Sequence, residues 1–354
     1  MIDTLTIKTT KAGHSRLAET DITDLPFGKV FTDHMFVADY EDGEWKNFEI
    51  LPYGPLPMSP AISALHYGQA IFEGLKAYKQ ADGTVSVFRA DKNFARFNRS
   101  ATRMAMANIP EEIFMQGLAA LINADKAWVP NEENYSLYLR PVMFATDPFL
   151  GVRPSATYKF VILANPSAPY YSKPLKVKIE TRYTRSADGG VGAAKAAGNY
   201  AGSMLPTVEA HAQGFDQLIW TDAKEHKYVE ESGAANLMFV INGKIVTPEV
   251  RETILEGVTR DTIIELAKSM GIEVEERRVS IQEVLDNIEN GTLTEAFAVG
   301  TAATVTQISE INYEGKGYLL TDPATRTVST GIAKKLNEIR YGVTADEFGW
   351  NWIV

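Results

Sequence analysis

Gly189-Gly190-Val191-Gly192-Ala193-Ala194-Lys195-Ala196-Ala197-Gly198-Asn199-Tyr200 sets a single lysine among glycines and alanines. No bulky or charged neighbour in sequence keeps that side chain from entering a pocket, so Lys195 is a candidate Schiff-base nucleophile. An amine attacks a carbonyl only when unprotonated, and desolvation in a tight pocket favours the neutral amine. The same letters also spell an exposed glycine-rich loop with a solvated lysine. A phosphate loop fits poorly, because that motif needs Gly-Lys-Ser/Thr and the chain has Ala194-Lys195-Ala196. The choice between pocket and loop rests on the rest of the chain.

A length of 354 residues predicts two domains, at about 150 residues each. With 45% hydrophobic and 23% charged residues, the composition is that of an ordinary globular protein. A net charge of -10 without a basic run argues against nucleic-acid partners. Cysteine is absent, which removes disulfides, thiolate zinc sites, iron-sulfur ligation and thiol nucleophiles together. His14, His34, His66, His211 and His226 are scattered without metal-ligand spacing, so no metal is expected. Met1 to Thr10 lacks the apolar core of a leader. No apolar run approaches the roughly 20 residues of a membrane span. The expectation is a cytoplasmic protein without a membrane partner.

Outward from the lysine, turn chemistry marks the strands. Asp42-Gly43 separates Phe36–Tyr40 from Trp45–Ile50, and Asp82-Gly83 separates Leu75–Tyr78 from Val85–Phe88, which predicts two hairpins. Phe94, Phe97, Ala101 and Met104 fall at helical spacing after Asp91, and Pro110 opens a second helix carrying Ile113, Phe114, Leu118, Leu121 and Ile122. Tyr135 to Thr146 alternates as a strand, with Tyr138 and Arg140 on one face and Leu137 and Leu139 on the other. Tyr158 to Ala164 is a further strand. The segment 165–174 holds Pro166, Pro169 and Pro174 and is read as the domain boundary. Beyond it, strands at Leu175–Arg182, Gln217–Trp220, Tyr228–Glu231 and Asn236–Ile241 interleave with helices around Ile263–Met270, Ile281–Ile288 and Thr325–Ile339.

Three stretches bear on the lysine. Glu256-Gly257-Val258-Thr259-Arg260 opens a helix, offering unpaired amides and the positive end of a dipole to an anion such as phosphate. It equally reads as a capping turn with Thr259 as N-cap. Val299-Gly300-Thr301-Ala302-Ala303 is a second glycine turn with a hydroxyl. Glu231 ends a strand against small residues, where a buried carboxylate needs a cation, and a protonated pyridine nitrogen serves. An exposed strand-end acid is the alternative. Jointly, a lysine, an acid for a ring nitrogen and a helix-start cradle define a pyridoxal phosphate site.

With these motifs the chain resembles the branched-chain amino acid aminotransferases of fold type IV. The likeness runs nearly end to end: Phe27–Met35, Leu65–Gly68, Phe72–Tyr78, Leu137–Pro141, Lys195–Tyr200, Glu231–Asn236, Gly257–Arg260 and Gly300–Ala302. The resemblance implies an α/β protein of D-amino acid aminotransferase-like architecture with mixed sheets and flanking helices. Its domains are a small one over 1–164, a loop over 165–174 and a large one over 175–354 that carries the cofactor lysine.

By the same resemblance Lys195 bonds pyridoxal 5'-phosphate, Glu231 keeps its ring nitrogen protonated, and Tyr200 bonds its phenolic oxygen. Arg96, the backbone of Val258 and Thr259, and Thr301 hold the phosphate. Read without the family, Arg96 shares a helix with Arg99 and Arg103 and belongs to a solvated face. Phe27, Tyr67, Phe72 and Tyr138 form an aromatic wall, with Tyr67 and the Ala302 amide near the substrate α-carboxylate. Arg140 receives the distal carboxylate of glutamate, so one pocket accepts both L-glutamate and the branched-chain L-amino acids, with their 2-oxo acids. Tyr170 and Tyr171 belong to the loop that covers the site, and Arg185 is a candidate near its entrance. The family implies a homodimer.

Where mammalian members carry a CxxC pair this chain has Ala303 and Thr306, which excludes thiol regulation and looks like a bacterial form. Ala234 stands where some members have threonine. D-amino acid aminotransferases and aminodeoxychorismate lyases of the same fold share the lysine, acid and cradle, but are shorter and lack Phe31-Thr32-Asp33-His34-Met35. A protein that only stores or senses the cofactor is the other alternative.

Overall fold

The computed structural model describes residues 5–22, 25 and 27–354, so the first four residues of the Met1–Thr10 segment lie outside the described residues. Two compact units divide the chain: Met1–Tyr170 with Ala194–Gly198 and Glu338–Val354, and Tyr171–Ala193 with Asn199–Asn337. The expected division into 1–164 and 175–354 is amended accordingly, since two later pieces, one carrying Lys195, join the first unit. Strand pairing is the reason. Ala196 bridges to Ile71, and Asn351–Ile353 pairs with Val85–Phe88.

In the first unit the strands are β1 (Lys8–Thr9), β2 (His34–Glu41), β3 (Glu44–Pro52), β4 (Ala70–Phe72), β5 (Leu75–Lys79), β6 (Val85–Phe88), β7 (Ser136–Ala145) and β8 (Tyr158–Ser167). Their order in one mixed sheet is β1-β3-β2-β8-β7-β5-β6, continued by Asn351–Ile353, with β4 on β7. Asp42 and Gly43 both take positive φ, 56° and 85°, the geometry of a two-residue turn whose twist matches that of its strands. Helices α2 (Ala90–Arg103) and α3 (Glu111–Ala124) follow the predicted periodicity, and a short α1 (Ser63–Tyr67) lies where only strands are expected. Phe97, Phe114 and Leu118 pack with Leu75, Ala77, Leu137 and Leu139 in one buried cluster. Alternation therefore turns Lys76, Tyr78, Ser136, Tyr138 and Arg140 to the other face of the sheet.

Strand β8 runs three residues beyond the expected Ala164, through Pro166. Its pairing with β2 ends near Ile162, so the missing N–H of Pro166 falls where only β7 is a partner. The Phe31–Met35 segment is a structural clasp. Asp33 accepts hydrogen bonds from the Arg16 amide, Ser15 Oγ and Trp128 Nε1, while His34 pairs through Nδ1 with Asp125 at 2.6 Å.

The second unit contains β9 (Leu175–Ile179), β10 (Gln217–Thr221), β11 (Tyr228–Ser232), β12 (Ala235–Ile241), β13 (Lys244–Thr247), β14 (Val274–Glu276), β15 (Val279–Ser280), β16 (Leu293–Gly300), β17 (Thr304–Tyr313) and β18 (Lys316–Leu319). Pairing runs β12-β16-β17-β9-β10-β11, and β11 pairs again with β12, which closes a circuit. Helices α4 (Ala197–Ala201), α5 (Met204–Ala212), α6 (Val258–Ser269), α7 (Ile281–Glu289) and α8 (Val328–Arg340) complete the described elements. Val177, Ile219, Val229, Leu237 and Phe239 pack with Val284 and Leu285 of α7. Among the described residues no helix is long and apolar enough to cross a membrane.

Candidate active site

Lys195 is fixed by its backbone. Its amide donates to Ser100 Oγ at 2.9 Å, and its carbonyl accepts from the Phe72 amide at 3.1 Å. The ammonium lies 4.8 Å from the centre of the Phe72 ring. The residue after that phenylalanine, Glu73, is fully buried and accepts from Arg96 Nε at 2.7 Å, Arg96 Nη2 at 2.8 Å and Asn93 Nδ2 at 2.7 Å. Burial pushes the Glu73 carboxyl up. The charges of Arg96 and Lys195 and the bonds from Arg96 and Asn93 outweigh it and hold the group below its ordinary range. Arg96 is therefore not on a solvated face, and two of its nitrogens are committed to Glu73.

The aromatic residues on the same unit gather around Tyr138. Phe27 meets the rings of Tyr138 and Tyr170 edge-on, each at 5.0 Å. Arg140 donates from Nη2 to the Tyr138 hydroxyl at 2.8 Å and lies 4.6 Å from the centre of the Phe72 ring. Arg140 Nε is buried without a hydrogen-bond partner. Among the described residues no carboxylate pairs with it. Tyr67 stands apart, half exposed at the end of α1, where its hydroxyl donates to the Leu150 carbonyl.

Gly74 is what lets the Tyr138 phenol sit there: a Cβ at that position lies 2.0 Å from the hydroxyl oxygen. Gly74→Ala is expected to destabilise the protein by about 1–3 kcal/mol, the usual cost of overpacking, and to break the Arg140–Tyr138 bond. Urea unfolding measures it. An unchanged midpoint would mean that the ring moves aside freely.

In the second unit, Glu231 faces Asn236 across the Gly233-Ala234 turn. Glu231 is buried, and its Oε1 accepts from the Leu255 amide at 2.8 Å and from Asn236 Nδ2 at 3.3 Å. Arg185 Nε lies 3.2 Å from its Oε2, so a guanidinium meets the charge. Asn236 Nδ2 also donates to the Leu255 carbonyl at 2.9 Å, and a Cβ on Gly257 lies 1.9 Å from Asn236 Oδ1. Only glycine admits so close an approach, which ties the acid to the start of α6.

That helix is capped by Gly257 and not by Thr259, with no side chain bonded at its start. Among the described residues the Val258 and Thr259 amides have no partner. Asn236 is in register with Val299, which brings the Gly300-Thr301-Ala302 turn to the same end of the sheet. Tyr200 lies on α4. Tyr171 packs on the core of the second unit.

The family model for class IV amino-transferases matches residues 70–311. The chain belongs to the class IV aminotransferases. It is 45% identical to a probable branched-chain-amino-acid aminotransferase of Staphylococcus aureus (strain MRSA252), over 94% of each chain. Branched-chain-amino-acid transaminase 1 of Bacillus subtilis (strain 168) is 46% identical over 93% of this chain and 94% of its own. Among solved structures, the branched-chain amino acid aminotransferase of Escherichia coli matches with a TM-score of 0.73 at 27% identity, covering 90% of this chain and 98% of that one. The branched-chain aminotransferase of the archaeon Thermoproteus uzoniensis, solved with norvaline, matches at 0.74 and 26%, covering 90% and 99%. The fold is thus the type IV aminotransferase fold, and the protein is a transaminase.

The sequence reading misses Glu73 and misses the partner of Arg185. Glu73 was visible only as an acid between Phe72 and Gly74, and Arg185 only as a candidate near an entrance. Glu73 meets Arg96, and Arg185 meets Glu231.

Proposed function

We propose that this transaminase exchanges the amino group between L-leucine, L-isoleucine or L-valine and 2-oxoglutarate, with pyridoxal 5'-phosphate as cofactor. The observation that carries the reading is the Asn236 brace. It joins a buried acid to an uncapped helix start, one suited to a ring nitrogen and the other to a phosphate. In this reading Lys195 Nζ bonds the cofactor aldehyde, Glu231 accepts from its ring nitrogen and Tyr200 donates to its phenolic oxygen. Arg96 holds the phosphate with Val258, Thr259 and Thr301. When bound, the cofactor supplies an electron sink for the charge left on the substrate α-carbon. Released from the aldehyde by the substrate amine, Lys195 Nζ would take the proton from that carbon as base and return it as acid to the former aldehyde carbon.

Phe27, Tyr67, Phe72 and Tyr138 line the place of an aliphatic side chain, with Tyr67 and the Ala302 amide toward the α-carboxylate. Tyr170 is the inward tyrosine of the covering loop, because its ring meets Phe27 while Tyr171 packs elsewhere. The reading includes a cytoplasmic homodimer. Leu65, Leu150 and Val152, 70%, 59% and 88% exposed, supply apolar surface for self-association.

Initial rates with the three donors and 2-oxoglutarate test the assignment; a protein that takes none of them overturns it. Arg140→Met should lower kcat/KM for L-glutamate by roughly 10- to 100-fold more than for L-leucine, the worth of a charge-assisted hydrogen bond. Equal losses for both remove Arg140 from the distal carboxylate.

A further inference from the structure

On the face of the first sheet turned away from α2 and α3, Lys76 of β5 stands directly opposite Tyr138 of β7, and Ser136 lies two residues along the same strand. Against this face the chain brings back Arg340, whose guanidinium lies 4.7 Å from the centre of the Phe88 ring and 5.8 Å from that of Tyr78. Gln80 Nε2 donates to the Arg340 carbonyl at 2.7 Å and fixes its backbone. All of these residues belong to the first unit.

Two side chains here, Arg340 and Ser136, have buried donors without acceptors. Lys76, Arg340 and Ser136 are 7%, 3% and 1% exposed. Arg340 Nε and Nη1 and Ser136 Oγ are buried without hydrogen-bond partners. Among the described residues no acid pairs with Lys76 or Arg340, and no hydrogen bond reaches Lys76 Nζ. Burying an unpaired cation is costly, and two together compound the cost.

Among the described residues the nearby acid is Glu133, whose charge acts on Tyr341 and which makes no ion pair with Lys76 or Arg340. Burial pushes the Tyr78 phenol up, with Arg340 opposing, and it pushes the Tyr341 phenol above its ordinary range, so both rings stay neutral. Tyr138 is engaged by Arg140, a third cation on this face.

We propose that Lys76, Arg340 and Ser136 form a binding site for a small anion. The anion is either free in solution or a carboxylate carried by a bound molecule. An anion between the two cations satisfies the guanidinium and the hydroxyl at once, and it removes the repulsion between Lys76 and Arg340. The inference stands on these donors and does not require the transaminase assignment. Burial first, and then the charge of Arg340, bring the Lys76 amine down to about 7. Anion binding needs the protonated amine, so affinity falls as pH rises through that value.

The test is thermal unfolding of the full chain in rising sodium chloride, with the variants below at the same salt reporting the effect of ionic strength alone. Glutarate and butyrate form a second pair of ligands. Wild-type Tm should rise saturably with chloride by roughly 2–4 °C at pH 6 and by less at pH 9. The rise should vanish in Lys76→Met and in Arg340→Gln. Each variant loses an unpaired cation and should fold at least as stably as wild type at low salt; if one fails to fold, the other carries the comparison. If chloride is silent but glutarate raises Tm in wild type and not in Arg340→Gln, the anion is the carboxylate of a bound molecule. No rise with either anion, or rises that persist in the variants, overturn the proposal.

Discussion

Lys195→Ala should lose about ten-thousandfold or more in kcat, because one nitrogen is asked to serve both as nucleophile and as proton carrier. The fold should survive the change. What positions this residue is its backbone, bonded to Ser100 Oγ and to the Phe72 amide, and neither bond involves the side chain. Stability should therefore stay near that of wild type while turnover disappears. The cofactor should still bind through its phosphate, but without a covalent bond. Borohydride reduction of wild type followed by peptide mass analysis should place the label on the peptide containing Lys195. A label on another peptide, or an alanine variant with full activity, would falsify the assignment.

How much of this was legible depended on whether the physics was local. The Asp42-Gly43 hairpin and the two faces of β7 follow from turn chemistry and a period of two, so they could be read from neighbouring letters. Lys195, Glu231 and the start of α6 stood out for the same reason, as chemistry at element ends.

What could not be read was pairing across sequence distance. Arg185 meets Glu231, Glu73 meets Arg96, and Ala196 bridges to Ile71, none of which leaves a periodic trace. The start of α6 shows the finer limit. Thr259 has the side chain of a cap, yet the chain turns at Gly257, because Asn236 occupies the space a Cβ there needs. Pro166 misled in the opposite direction. A proline marks a break only where a neighbouring strand demands its N–H, and β8 has by then left β2.

Glu73→Ala should cost about 3–5 kcal/mol of stability, the penalty for leaving one member of a buried ion pair behind. Arg96 is 4% exposed, and Nε and Nη2 both end on the Glu73 carboxylate. Without it the guanidinium is buried with two donors unmatched, and Asn93 Nδ2 loses its 2.7 Å acceptor. The pH dependence has a definite sign. Glu73 titrates below its ordinary value in the folded state, so its contribution is complete above the unfolded carboxylate range. It is lost as pH falls toward the folded value. Wild type should weaken steeply in acid, and Glu73→Ala should show a shallower fall from a lower plateau.

Urea unfolding of Glu73→Ala, Arg96→Met and the double variant separates the pair from its members. Removing both partners should cost less than the sum of the single changes, because no unpaired charge remains. If the costs simply add, the pair contributes nothing as a pair. Cofactor retention then distinguishes the two roles of Arg96. The double variant should recover stability and still hold pyridoxal phosphate poorly, since the arginine proposed for the phosphate is gone. A double variant that retained cofactor as wild type does would leave Arg96 as the counter-charge of Glu73 alone.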